Sequence, residues 1–314
     1  MNSKHIIAID LGSNSIRFLK IECATKSFVG EFHKTVKTAD GLTQTGLISE
    51  AALGRIINAI KEAQEVIDFS DADIRAVATE AIRQADNGAE ILRRIEEQTG
   101  ISFAVIGGEA EARYALIAVQ NRLKLLGQEP KSFMLVDIGG ASTELIFCYG
   151  DKIIDRSFQV GIVTMTQRFG TLKELGQVIS EVMQPICDFC NEVYAQYGKA
   201  EMFIATAGTP TTIAAMKNGL TYATYDPNKI HGTILTLDDL NRQLAELLAM
   251  DIDKRIKTVG VGRDDLIASG VLIYKELYRI GGFTDSMVVD DGVREGVAFD
   301  ECERLRQIGK IYSS

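Results

Sequence analysis

Asp137 and Glu144 bracket a turn of small residues built to approach an anion. In FMLVDIGGASTELIFC, residues 133–148, an apolar run ends at Asp137. Gly139, Gly140, Ala141 and Ser142 make a tight turn, and a second β-rich run leaves through Thr143 and Glu144. The pattern predicts strand, loop and strand. Glycines at 139 and 140 admit positive φ and carry no side chain, so the turn's backbone N–H groups can reach an anion. Two carboxylates beside a phosphate-sized nest would repel a phosphate unless a divalent cation stood between them, which points to Mg2+.

The N-terminus repeats the pattern. In IIAIDLGSNSIRFLKI, Ile6–Ile21, an apolar run ends at Asp10, followed by a turn of Gly12, Ser13, Asn14 and Ser15 and a second strand. IDLGSNS and VDIGGAS agree in spacing at Asp, Gly and the last Ser. Asp10 and Asp137 lie 127 residues apart (137 − 10), a normal domain length. The simplest reading is two related domains, each with a phosphate-binding hairpin, facing one another across a cleft. Small-residue turns are common in ordinary hairpins, but the matched aspartates make that the weaker explanation. Asp10, Asp137 and Glu144 are the candidate metal ligands, and Arg17, just past the first turn, is placed to neutralise phosphate charge.

The remaining elements must position these groups. Thr38–Ser49 is turn-rich and is expected as a loop over the cleft. Ser49 is a helix N-cap, with Leu53, Ile56, Ile57, Ile60 and Ile67 forming the apolar face of a scaffold helix. Strands are expected over 74–79 and 103–106, with a helix after Gly108, and a domain boundary in the polar stretch 121–132. A long helix is expected over about 172–197. Its Cys187 and Cys190 have ordinary helical spacing, with no second Cys or His pair for zinc. Met202–Thr206 reads as a buried strand. Gly208 and Thr209 then open a helix whose N-terminus is a candidate anion site, for phosphates farther along a substrate or for part of a nucleotide. Arg263, Asp264 and Asp265 precede an amphipathic helix, and Met287–Asp290 reads as the last strand before a final helix.

The 314 residues, 46% hydrophobic, suffice for two cores. A net charge of −9 argues against general nucleic-acid binding but leaves room for a polyanion met by local arginines, amides and metal. Five cysteines at 23, 148, 187, 190 and 302 form an odd, scattered set that reads as reduced thiols. No apolar run is long enough to span a membrane and the N-terminus enters a strand without a signal-peptide pattern, so a cytoplasmic protein is expected.

Six segments in order, DLGSNS (10–15), VATEAIRQADNG (77–88), IGGEAEAR (106–113), VDIGGASTEL (136–145), GTPTTIAA (208–215) and DDGVREG (290–296), closely resemble the exopolyphosphatase / guanosine pentaphosphate phosphohydrolase family. The resemblance implies an α/β fold of two actin-like (ribonuclease H-like) domains of the actin, sugar-kinase and Hsp70 group, with an interdomain cleft. The domains would cover 1–125 with a C-terminal helix about 298–314, and 126–297. The chain looks like the short form, without the HD-like domain of longer members, and closure about a shared hinge is the expected motion. Arg83 matches the family's phosphate-contacting arginine and Glu111 its general base, which phosphoanhydride hydrolysis needs to take a proton from an in-line water. Ala141 departs from the family, which more often has a third glycine there. His231 matches a family histidine near the cleft but is not assigned catalysis.

The activity so implied is Mg2+-dependent release of terminal orthophosphate from inorganic polyphosphate. Removal of the 5′-phosphate of guanosine pentaphosphate is the near alternative. A small-molecule kinase of the same fold group and a non-catalytic sensor of alarmone or polyphosphate are more distant ones. No nucleic-acid or membrane partner is expected, and a homodimer is left open.

Overall fold

The computed structural model describes residues 5–307 and 309. The chain packs as two units, one formed by the chain up to Ala118 together with the chain from Asp291 onward, the other by Val119–Asp290. The first opens with antiparallel strands β1 (His5–Leu11), β2 (Ser15–Glu22) and β3 (Ser27–Thr35). After a short helix α1 (Leu42–Thr45), Ser49 caps α2 (Glu50–Val66) by accepting the Ala52 N–H at 3.2 Å. The chain continues through β4 (Ala72–Ala78), α3 (Glu80–Gln84), α4 (Gly88–Thr99), β5 (Phe103–Val105) and α5 (Gly108–Leu125). The sheet order is β3-β2-β1-β4-β5, with β4 parallel to β1 and β5 parallel to β4. Ile6, Ile7, Ala8 and Ile9 are all fully buried, as expected of a central strand covered on both faces.

The second unit repeats this plan. Strands β6 (Ser132–Ile138), β7 (Thr143–Tyr149) and β8 (Lys152–Phe158) form an antiparallel meander, followed by α6 (Ile162–Phe169), α7 (Leu172–Val182) and α8 (Gln184–Tyr197). Then come β9 (Met202–Thr206), α9 (Gly208–Lys217), β10 (Thr233–Thr236), α10 (Leu237–Ala249), α11 (Ile252–Val259), α12 (Ile267–Gly281) and β11 (Asp285–Val288). Here the order is β10-β11-β9-β6-β7-β8. The run β8-β7-β6-β9 matches β3-β2-β1-β4 in order and strand direction, so the repeat read from two turns is a repeat of sheet topology. This is the α/β fold of two actin-like domains.

Three expectations change. The helix expected over 172–197 is two helices, because the chain breaks at Met183 and Pro185 enters the first turn of α8, where its missing N–H costs nothing. The last strand lies two residues earlier than read, at Asp285–Val288. The cysteines are not all free thiols. The final helix α13 (Val293–Gln307) packs on β1 and β2, sharing a core with Ile6, Ala8, Leu19, Ile21 and Val77. That packing brings Cys302 to Cys23 as a disulfide, with Cα atoms 5.2 Å apart. The end of the expected C-terminal helix, residue 308 and residues 310–314, lies outside the described residues.

Gly296 makes the packing of α13 close. A Cβ there would stand 2.0 Å from the carbonyl oxygen of Tyr114, so α13 lies directly against α5 at that point. Among the described residues no helix is long and apolar enough to cross a membrane.

Candidate active site

The two hairpin turns are closed alike. Gly12 donates its N–H to the Ser15 carbonyl at 3.0 Å, and Gly139 donates to the Ser142 carbonyl at 2.9 Å. The reason for glycine differs from the one expected. Among the described residues with positive φ, none is Gly12, Gly139 or Gly140. At Gly139 it is the tightness of the turn that disfavours a side chain, since a Cβ there would sit 3.0 Å from the Ser142 oxygen, whereas at Gly12 the corresponding distance to the Ser15 oxygen is an ordinary 3.4 Å. Ala141, where a third glycine was the alternative, is buried and has no positive φ, so its methyl is accommodated.

Each turn is held from behind. The Asn14 carbonyl accepts the N–H groups of Val36 and Lys37, both at 2.9 Å, and the Ser13 carbonyl accepts that of Ala39 at 2.9 Å. The start of the Thr38–Ser49 segment is therefore a buttress for the first turn. In the second unit, Gly139 accepts from Ile162 at 3.1 Å and Gly140 from Val163 at 2.7 Å, so the turn's carbonyls satisfy the first amides of α6. Gly161 allows this approach, because a Cβ on it would meet the Gly140 oxygen at 2.3 Å.

Strand register places the charged groups. Asp10 is opposite Arg17 across β1 and β2, and Asp137 is opposite Glu144 across β6 and β7. Residues directly opposite share a face of the sheet. One Glu144 oxygen, Oε1, accepts the Ser142 hydroxyl at 2.6 Å and the Ser157 hydroxyl at 2.8 Å. Ser157 was not anticipated. It lies opposite Glu144 on β8, a strand with mostly exposed residues, and only the register marks it.

In the first unit Arg83 and Glu111 meet, a pairing the sequence motifs did not announce. Arg83 Nη1 lies 3.4 Å from Glu111 Oε2 and also donates to the Ile106 carbonyl, while its other terminal nitrogen pairs with Glu80. Glu111 is buried in the first turn of α5 and its own N–H bonds the Gly107 carbonyl at 3.0 Å. Glu80, also buried, is a second carboxylate on Arg83 that sequence reasoning passed over.

At the β9–α9 junction, Ala207 takes φ 70°, a left-handed conformation rare without glycine, and turns the chain into α9 at Gly208. The Arg263 guanidinium lies over Gly208, with its Cζ 3.8 Å from where a Cβ would stand. Thr209 is fully buried and its hydroxyl is packed toward Gly270 on α12, so of this pair the backbone at Gly208 is the part beside a cation. His231 accepts the Asp290 N–H at 3.2 Å through Nδ1, a structural bond at the end of the sheet. Among the described residues no group of three or more His, Cys, Asp or Glu side chains is gathered for a metal ion.

Known proteins similar to this one match it along nearly its whole length. Exopolyphosphatase 2 of Mycobacterium tuberculosis is 27% identical over 315 aligned residues, covering 93% of this chain and 97% of that protein. The crystal structure of the Aquifex aeolicus Ppx/GppA family member is 29% identical with a TM-score of 0.71, covering 96% of this chain and 98% of the other. An exopolyphosphatase from Cytophaga hutchinsonii, at 22% identity and a TM-score of 0.83 over 96% and 98% of the two chains, shares the fold. The model of the Ppx/GppA phosphatase family matches residues 21–305, most of the chain, and the chain belongs to that family.

Proposed function

We propose that the protein is an exopolyphosphatase, hydrolysing the terminal phosphoanhydride of inorganic polyphosphate to orthophosphate and a chain one unit shorter. The observation that carries this reading is the buried Glu111 carboxylate held against Arg83. A carboxylate beside a guanidinium supplies both needs of the reaction, a proton acceptor for water and a cation for the phosphoryl oxygens. Arg83 is engaged by two carboxylates and a carbonyl, and a bound phosphate would compete for it with Glu111. That exchange would release the Glu111 carboxylate from Arg83 and let it accept the proton of the attacking water.

The turn at 139–142 would bind phosphate oxygens through backbone N–H groups, as would the turn at 12–15 in its own unit with Arg17 adding charge, and the Gly208 turn beside Arg263 would bind other phosphates of the substrate. Asp137 and Glu144 form a two-carboxylate face that suits Mg2+, which takes one or two carboxylates and completes its shell with water and phosphate oxygens; Asp10 is its counterpart in the first unit. When bound, the ion would neutralise phosphate charge. Glu144 is kept from swinging away by the hydroxyls of Ser142 and Ser157. The relative from Mycobacterium tuberculosis that matches along nearly its whole length bears the name exopolyphosphatase, which supports polyphosphate as substrate.

Orthophosphate release by the purified protein, with Mg2+ or with a chelator, on short polyphosphate, long polyphosphate and guanosine pentaphosphate tests the proposal. Turnover of polyphosphate that needs Mg2+ is expected. Turnover of guanosine pentaphosphate alone would replace the substrate, and chelator-resistant turnover would remove the metal.

A further inference from the structure

Cys23 and Cys302 come from opposite ends of the chain, with a sequence separation of 279, and are joined in a buried layer that the phosphatase chemistry does not use. Cys23 follows the last residue of β2 and Cys302 lies within α13. The two share their core with Leu19, Ile21, Phe299 and Leu305, so the bond fastens the final helix to the first hairpin. The helix it holds is the one whose Gly296 abuts Tyr114 on α5, the helix that carries Glu111. At its other end α13 is tied to β3 by Arg294, which reaches Glu31 at 3.3 Å, while Glu295 caps the helix's own start by accepting the Gly292 N–H at 2.8 Å.

We propose that Cys23 and Cys302 are an oxidation site, at which a low-molecular-weight disulfide converts two thiols into a bond that clamps α13 to β2. One protein thiolate attacks a sulfur of the small disulfide, forming a mixed disulfide and expelling one small thiolate. The second protein thiolate then attacks the protein sulfur of the mixed disulfide and expels the other. The protein loses two electrons and two protons, and the small disulfide becomes two thiols. Neither protein sulfur is exposed, so exchange must wait for α13 to lift from the hairpin, and reduction of the folded protein is slow.

Two of the other three cysteines are poor competitors. Cys148 and Cys190 are buried, and burial pushes each thiol up to about 12, so neither offers much thiolate near neutral pH. Closing so long a loop removes much of the freedom of the unfolded chain. The effect is a helix that stays docked, and an α5 that stays braced, under conditions in which the reduced protein frays.

The test is to equilibrate the intact protein in oxidised and in reduced glutathione, quench in acid, alkylate in denaturant and map the peptides, then melt both forms. The expected oxidised form carries a single link between Cys23 and Cys302, with Cys148, Cys187 and Cys190 alkylated. Its melting midpoint is higher by about 5–10 °C. Cys302→Ser abolishes the shift and Cys148→Ser keeps it. The wild-type comparison needs no variant to fold, and peptide mapping and melting do not depend on the enzymatic assignment. A different linkage, a mixed disulfide as end product, or a Cys23–Cys302 bond with no change in midpoint would overturn the proposal.

Discussion

Glu144 stands opposite Asp137 in the β6–β7 register where Arg17 stands opposite Asp10 in the β1–β2 register. The same hairpin pattern thus carries opposite charge at the same place in its two copies. The Asp137 face is suited to a cation and the Arg17 face to an anion. Glu144→Gln keeps an acceptor for the hydroxyls of Ser142 and Ser157 and should therefore fold, while losing half the carboxylate pair. Phosphate release is expected to fall by about 100-fold, with the apparent requirement for Mg2+ shifted to higher concentration. Titrating Mg2+ against rate in both proteins checks this.

Gly161→Ala should damage the second turn without touching substrate. The added methyl cannot fit 2.3 Å from the Gly140 oxygen, so either α6 or the turn must move. A stability loss of about 1–3 kcal/mol is expected from the overpacking. The Michaelis constant should rise, because the turn's amides move with its carbonyls. Denaturant unfolding and substrate titration measure the two effects separately.

The hairpins were legible because an apolar run, an aspartate and a small-residue turn are local signals. The outer strands β3 and β8 were not, since their mostly exposed residues give no buried alternation. The break between α7 and α8 did leave a mark, Pro185, which helical periodicity overrode. Ser157 and Glu80 join the candidate site only through strand register or an ion pair, and a lone Ser or Glu carries no pattern. The Cys23–Cys302 link was illegible for the same reason at longer range, because nothing local in the sequence says that residue 302 returns to residue 23. Glycines do stand in both tight turns, but none there has a positive φ, and at Gly139 the constraint is a close carbonyl.

Gly296→Ala is expected to be among the most destabilising single-methyl additions. The Cβ would lie 2.0 Å from the Tyr114 carbonyl oxygen, backbone against backbone, so α13 must shift from α5. A loss of about 3 kcal/mol is expected. Thermal melting checks it, and the oxidised protein should suffer less than the reduced one, because the disulfide limits how far α13 can leave.

Acid should loosen the second unit at Asp239. Burial alone would raise this carboxyl, but hydrogen bonds from Lys217 and from the Thr236 N–H and hydroxyl outweigh it and hold it below the ordinary aspartate value. A carboxylate depressed on folding stabilises the protein above its unfolded pKa, and that contribution is lost as pH falls through the folded value. Asp239→Asn should therefore lower the melting midpoint at pH 7 and make progressively less difference as pH falls below about 4. A gap between the two proteins that stays constant through that range would exclude the carboxylate as its source.

In the proposed reaction Glu111 takes the proton of the attacking water. The direct measurement is orthophosphate release from polyphosphate by wild type and Glu111→Gln, together with polyphosphate binding by each. Loss of a general base predicts a turnover number lower by about 10²–10⁴-fold with binding kept, since glutamine preserves the shape and leaves Arg83 to the phosphate. Turnover of the glutamine variant within a few-fold of wild type would contradict the account and place the proton elsewhere.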